Sequence, residues 1–193
     1  MATGISSFTD ALAFGALNDV LSLFHEDNAY GRPNQYEIQI LPPPGKLGGH
    51  DFRNISLKAE AVLMPGRSVN TQPKSADQVY GPTRDLVTGP LYADEVTMTI
   101  QSPNGLDERM MLEQWQELSF SKDTYDVAYY QEYVGTLNIH LLDMNDRKTF
   151  GLQLRECFPK SITGLNLAYG PSSEIIKTNV SWTFREFVNL SLD

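Results

Sequence analysis

A single cysteine, Cys157, occurs in 193 residues, which excludes an internal disulfide and any cysteine-rich zinc site and makes a reducing compartment the simplest home. Histidine is almost as scarce. His25, His50 and His140 lie far apart, and none has a second ligand three or four residues along a helix, the spacing zinc sites use. No apolar run approaches the roughly 18 residues needed to cross a bilayer, and the first residues lack the basic start and apolar core of a secretory signal. The expectation is a soluble protein made in the cytoplasm, without a membrane partner. Cationic residues are also in short supply: 15 Lys and Arg stand against 24 Asp and Glu, for a net charge of −9, with the acids scattered along the chain. A nucleic-acid binder needs a concentrated basic surface to release counterions from phosphates, so that class is disfavoured. An acidic chain can still enclose DNA that it does not hold.

Reactive constellations are missing too. Gly45-Lys46-Leu47-Gly48-Gly49 ahead of His50-Asp51 lacks the spacing and the closing Lys-Ser/Thr of a phosphate loop. There is no Gly-x-Ser-x-Gly elbow, and Cys157, between Glu156 and Phe158, has no evident histidine to activate it, so a buried structural thiol is expected. The neighbouring carboxylates Asp94-Glu95, Asp107-Glu108 and Asp143 with Asp146 fall at a strand start, a helix start and a turn, where each has a local use. Asp143 and Asp146 are also too close for an EF-hand. No catalytic, metal or cofactor-binding residue is therefore expected, and no enzyme. Tyr125, Tyr129, Tyr130 and Tyr133 could form a sugar or base platform, although packing in a core or subunit interface is the commoner fate of such a group.

What is present is ordinary globular composition, 41% apolar, 10% aromatic and 20% charged, at a length that suits one domain over residues 1–193. Residues 1–33 read as an N-terminal helix, over Thr9 to Phe24, and a polar connector. Tyr36, Ile38 and Ile40 alternate with polar residues as a half-buried strand does, and the same period over Ile55, Leu57, Ala59, Ala61 and Leu63 predicts a second strand from Phe52 to Leu63. Residues 64–90 hold four prolines and three glycines and read as a long loop. Val96, Met98 and Ile100 mark a strand within Tyr92 to Gln101. Asp107 and Glu108 open a helix striped by Met111, Leu112, Trp115 and Leu118, the acids facing the positive end of the dipole. Leu137, Ile139 and Leu141, a turn at 143–146, then Phe150, Leu152 and Leu154 form a hairpin pattern. One long strand, Glu174 to Val188, carries Ile176, Thr178, Val180, Trp182 and Phe184 on one face. The fold class is mainly β, a sandwich or barrel with two helices.

The order of these features resembles the tail tube protein of T4-like contractile bacteriophages. The resemblance is carried by Gly31-Arg32-Pro33-Asn34-Gln35-Tyr36-Glu37-Ile38 opening the first strand, the Trp115 helix, Phe158-Pro159-Lys160-Ser161-Ile162-Thr163-Gly164-Leu165, and the terminal Trp182-Thr183-Phe184 strand. It runs from about Asn28 to Val188 and is weakest between Met64 and Pro90. The resemblance implies a tail-tube β-barrel or sandwich whose copies form stacked hexameric rings, a DNA conduit inside a contractile sheath, with no cofactor and no catalytic residue. The implied partners are other copies of the chain, the tail sheath protein, a baseplate initiator, a tape measure protein, and genomic DNA passing without specific binding. The implied location is the virion, with assembly in the host cytoplasm. Within the long loop, Met64, Pro65, Gly66, Gln72, Lys74, Asp77, Tyr80 and Gly81 are the candidate contacts between subunits or rings. A tube subunit of a secretion or extracellular injection system shares the implied fold, and a β-sandwich binding module or glycosidase is the non-structural rival.

Overall fold

The computed structural model describes residues 22, 31–47, 52–74, 84–91, 95–165, 167 and 174–190. The helix expected over Thr9 to Phe24 lies outside these residues, apart from Ser22.

Alternation of apolar and polar side chains produces the central strands as anticipated. β1 (Tyr36–Leu41) buries Ile38 and Ile40, β5 (Val96–Gln101) buries Val96, Met98 and Ile100, and β8 (Lys177–Thr183) buries Thr178, Val180 and Trp182. β6 (Gly135–Leu142) and β7 (Lys148–Ile162) form the hairpin, and its register sets Leu137 opposite Leu154, Ile139 opposite Leu152 and Leu141 opposite Phe150. These cross-strand apolar pairs are the unit that stabilises a sheet.

The strand order is β1-β6-β7-β8-β5-β2, with β2 at Ala59–Val62 and with β9 (Glu186–Leu190) also pairing β7, every ladder antiparallel. β7 does double duty. Its first part runs between β6 and β9, while Phe158 to Ile162 pairs with β8. The change falls at Glu156, a bulge residue with φ of 52° between the pairs Gly135–Cys157 and Thr136–Arg155. A bulge sharpens twist and bend, so β7 folds the two sheets across each other around a shared core.

α2 (Asp107–Ser119) sets Met111, Leu112 and Trp115 on that core, all three fully buried. Gln116 Nε2 donates to the carbonyls of Pro159 and Lys160, each at 3.2 Å, and Arg109 Nη1 to that of Thr163 at 3.2 Å. The helix thereby covers backbone of the segment of β7 that β6 does not reach, a protection that a sheet edge needs.

Between β1 and β2 no ladder forms. α1 (Phe52–Leu57) fills this gap: Ser56 Oγ accepts from the Ile40 amide at 3.2 Å, and the Tyr36 hydroxyl donates to the carbonyls of Ala59, at 3.2 Å, and Glu60. The architecture is an open barrel bridged by side chains and a short helix.

Three readings of the sequence are corrected here. The strand expected from Phe52 to Leu63 is a helical turn followed by β2: Phe52, Ile55, Ser56 and Ala59 stand at helical spacing on the inner side, and Leu57 and Leu63, 71% and 63% exposed, belong to no buried face. The long loop over 64–90 contains a separate antiparallel hairpin, β3 (Ser68–Lys74) and β4 (Arg84–Leu91). Neither strand has a buried face to impose alternation, and Pro73, Gly89 and Pro90 mask its β character. β7 continues through Pro159 because the register slips between Pro159 and Ser161, and a bulge tolerates a missing N–H. The single terminal strand divides at Phe184-Arg185 into β8 and β9, which follow the two parts of β7 around its bend.

One position has no room for a side chain beyond hydrogen. A Cβ on Gly135 would lie 2.5 Å from the Leu41 carbonyl oxygen and 2.6 Å from the Trp115 ring. Gly135→Ala should therefore destabilise the fold by about 2 kcal/mol, the usual scale for overpacking, and lower the thermal midpoint by about 4–8 °C at this chain length. A melt within a degree of the parent would show that Trp115 and the backbone can yield.

Candidate assembly surfaces

Among the described residues, several groups that sequence reasoning weighed for chemistry have structural duties. Among the described residues no three His, Cys, Asp or Glu side chains converge as a metal site. A cleft of about 620 Å³ beside β1 is lined by Tyr36, Ile38, Ser56, Ala59 and Glu60, but the Ser56 hydroxyl donates to the Phe52 carbonyl at 2.8 Å, and no histidine or cysteine lines the cleft. Glu95 pairs with Lys160, and the buried Glu108 pairs with Lys58. Asp143 Oδ1 accepts the Met144 amide at 2.7 Å in the β6–β7 turn. Asp94, His25 and His50 lie outside the described residues.

Cys157 is fully buried, and desolvation of its thiolate pushes the thiol up to about 12. His140 is buried in β6 opposite Glu37 on β1 and Gly151 on β7. Burial, then the charge of Lys148, lowers its affinity for a proton, and Glu37, ion-paired to Lys148 at 3.0 Å, opposes that. Both are fold residues rather than reactive ones.

The unpartnered features are surfaces. The β3–β4 hairpin is a two-stranded sheet that joins no other strand among the described residues, and Val69, Leu86, Val87 and Leu91 on it are all exposed, Val87 at 66%. An isolated two-stranded ribbon is marginal in water. The eight candidate contact residues distribute as follows. Met64 and Pro65, ahead of the hairpin, are half-buried, with Met64 against the core; Gly66 is exposed. Gln72 is exposed on β3 opposite Leu86, and Lys74 stands opposite Arg84 in the ladder. Asp77, Tyr80 and Gly81 lie outside the described residues. Sequence reasoning passed over Val69, Leu86 and Val87, although Leu86-Val87-Thr88 is a short β-favouring run that signals a strand.

A second surface follows α2. Phe120, Tyr125, Val127, Tyr129 and Tyr130 are all exposed, Tyr125 at 77% and Tyr129 at 84%. Their loop is ordered: Phe120 and Val127 form a β-bridge, and Ser121 donates to the Asp126 carbonyl, Tyr125 to that of Ser121 and Ala128 to that of Ser119. Tyr133, from α3 (Tyr130–Tyr133), turns inward and meets Phe158 edge to face at 5.1 Å. Tyr130 and Tyr133 stand at 80° to one another, so the tyrosines offer no continuous flat face for stacking.

The subunit is mainly β and presents two exposed apolar surfaces, the β3–β4 hairpin and the loop after α2. The profile described as phage tail tube protein matches residues 31–190, and the chain belongs to that family, a family of structural tube proteins rather than enzymes. No curated protein sequence matches it. Among solved structures it is similar to a chain of the sheath–tube complex of an extracellular contractile injection system, PVC, in its extended state, with TM-score 0.61 and 12% identity over 92% of this chain and 99% of that one. The PVC sheath/tube terminator, with TM-score 0.60 and 13% identity over 84% and 98%, and the anti-feeding prophage baseplate, with TM-score 0.60 and 7% identity over 84% and 96%, share the fold.

Two outcomes follow from the buried groups. Cys157 should resist iodoacetamide at pH 8 in the native protein and react fully in denaturant; rapid native alkylation would contradict its burial. For His140 the folded pKa is below the unfolded value of about 6.5, so its contribution is fully present above that pH and declines as the pH falls through 6.5 toward the folded value. Denaturant midpoints measured from pH 7.5 to 5 should fall, and His140→Gln should flatten that slope.

Proposed function

We propose that this protein is the repeating subunit of a contractile tail tube, forming hexameric rings that stack into a hollow conduit inside a sheath. The β3–β4 hairpin carries this reading. A ribbon with four exposed aliphatic side chains and no strand of its own body beside it gains its stability from contact in trans. The free outer edge of β9 among the described residues offers a further strand for pairing between copies. Met64, Pro65, Gly66, Gln72, Lys74, Asp77, Tyr80 and Gly81 then sit in or beside the segment that reaches the neighbouring copy.

In this reading the sheath protein surrounds the tube, a baseplate initiator starts it, a tape measure protein sets its length, and the tube is assembled in the host cytoplasm and carried in the virion. Genomic DNA passes through without adhering. The excess of acids supports that last element, because a lumen repeating basic contacts would hold the phosphates through many counterion-release sites at once. A second reading is favoured by the similarity to PVC and anti-feeding prophage chains: the same subunit in an extracellular injection particle, whose tube carries no genome. Nuclease-protected DNA in purified particles separates the two.

The purified protein should form rings or tubes visible by negative stain, alone or with its initiator. Because Ser68 pairs with Leu91, a link of about three Gly and Ser residues can replace residues 68–91 without moving their flanks. That variant should keep the parent's melting point, lose only the circular-dichroism signal of the two removed strands, and lose tube formation. Normal tubes from it would remove the hairpin from the interface.

A further inference from the structure

Resting on the tube reading, we propose that the β3–β4 hairpin of one copy docks on the aromatic loop of residues 120–130 of the next copy. An array that repeats without closing on itself as a pair needs two different, complementary patches on each subunit. The chain presents two. One face of the hairpin is aliphatic, through Val69 and Val87, which the ladder sets on the same side; the loop is aromatic, through Tyr125, Val127 and Tyr129. Among the described residues no hydrogen bond or ring contact joins them within one chain.

Charge points the same way. Residues 67–91 hold three basic and two acidic side chains, whereas residues 117–132 hold four acidic and one basic. Most charged side chains on the body are engaged in ion pairs, including Arg109 with Glu113, Arg155 with Glu186, and Lys177 with Glu60. Arg67, Arg84 and Asp85 on the hairpin side, net positive, and Asp123 and Asp126 in the loop have no ion-pair partner among the described residues. Opposite fields of this kind set the register of an apolar contact.

The loop is also built to receive something. Tyr125 is held at φ 59° with its ring against Phe120 at 6.0 Å, a backbone conformation that a bulky residue adopts only where surrounding structure imposes it. Exposed tyrosines on a preordered loop lose little entropy on contact, which is why they recur as interface anchors. A hydrophobic patch of this kind on the surface of a monomer marks an interaction site.

Cysteine chemistry tests the pairing, since native Cys157 is buried and contributes little background. Val87→Cys and Val127→Cys are made separately, each checked for native circular dichroism, and assembled alone or as a mixture before treatment with a short bis-maleimide. The mixture should lose monomer to a covalent dimer, and neither variant alone should. Crosslinking of Val87→Cys with itself would make the contact hairpin to hairpin and overturn the proposal. Tubes that form from the mixture without the dimer, also with Val69→Cys and Tyr129→Cys as the pair, would overturn it while leaving the tube reading intact. Failure of the unmodified chain to assemble even with its initiator would end both.

Discussion

Everything in the subunit hangs on the seat of Trp115. Its ring meets Trp182 of β8 edge to face at 5.4 Å and Phe52 of α1 at 6.1 Å, and its Nε1 donates to the Tyr133 carbonyl at 2.7 Å. One side chain thus ties α2 to the second sheet, to the helix that bridges the barrel gap, and to the entry of β6. Such a ring contributes through area and edge-to-face geometry, and its N–H must find an acceptor once buried. Gly135 is the counterpart of that seat, since the ring and the Leu41 carbonyl leave no space there for a Cβ.

From this anchor the functional surfaces follow. With α2 held at Trp115 and its first turn tied through buried Glu108 to Lys58, the chain leaving the helix at Phe120 has to double back at the surface before reaching α3. The aromatic loop is what that return presents. The bend of β7 at Glu156 has a similar reach: it splits one strand between two sheets and obliges β8 and β9 to turn beside it. Arg185 holds the corner through an ion pair with Glu156 at 2.8 Å. The pair is largely exposed, so it directs the bend more than it stabilises the fold.

The hairpin obeys a different rule. Its strands are specified by their own ladder and by no other strand among the described residues, so burial cannot discipline their sequence, and Pro73 and Pro90 are tolerated where a central strand would exclude them. A segment with that freedom in one copy is constrained by whatever it meets in assembly. The surfaces that matter for a tube are therefore the ones with the weakest imprint of the subunit's own fold.

The amino-acid sequence by itself determined the strands that have one wet and one dry face, the amphipathic Trp115 helix, the β6–β7 hairpin and the inert character of Cys157, because burial on one side writes a period of 2 or 3.6 into the chain. The order of those elements also carried the tail tube resemblance. Only the tertiary structure decided what lies where that period is absent or misleading. Phe52 to Leu57 became helical because Ile55 and Ser56 meet β1 while Leu57 meets water. Ser68–Lys74 and Arg84–Leu91 became a separate ribbon because their exposed side chains face no core among the described residues. Phe120, Tyr125, Val127 and Tyr129 came together outside because α2 is pinned inside, a long-range consequence of packing to which local spacing is blind.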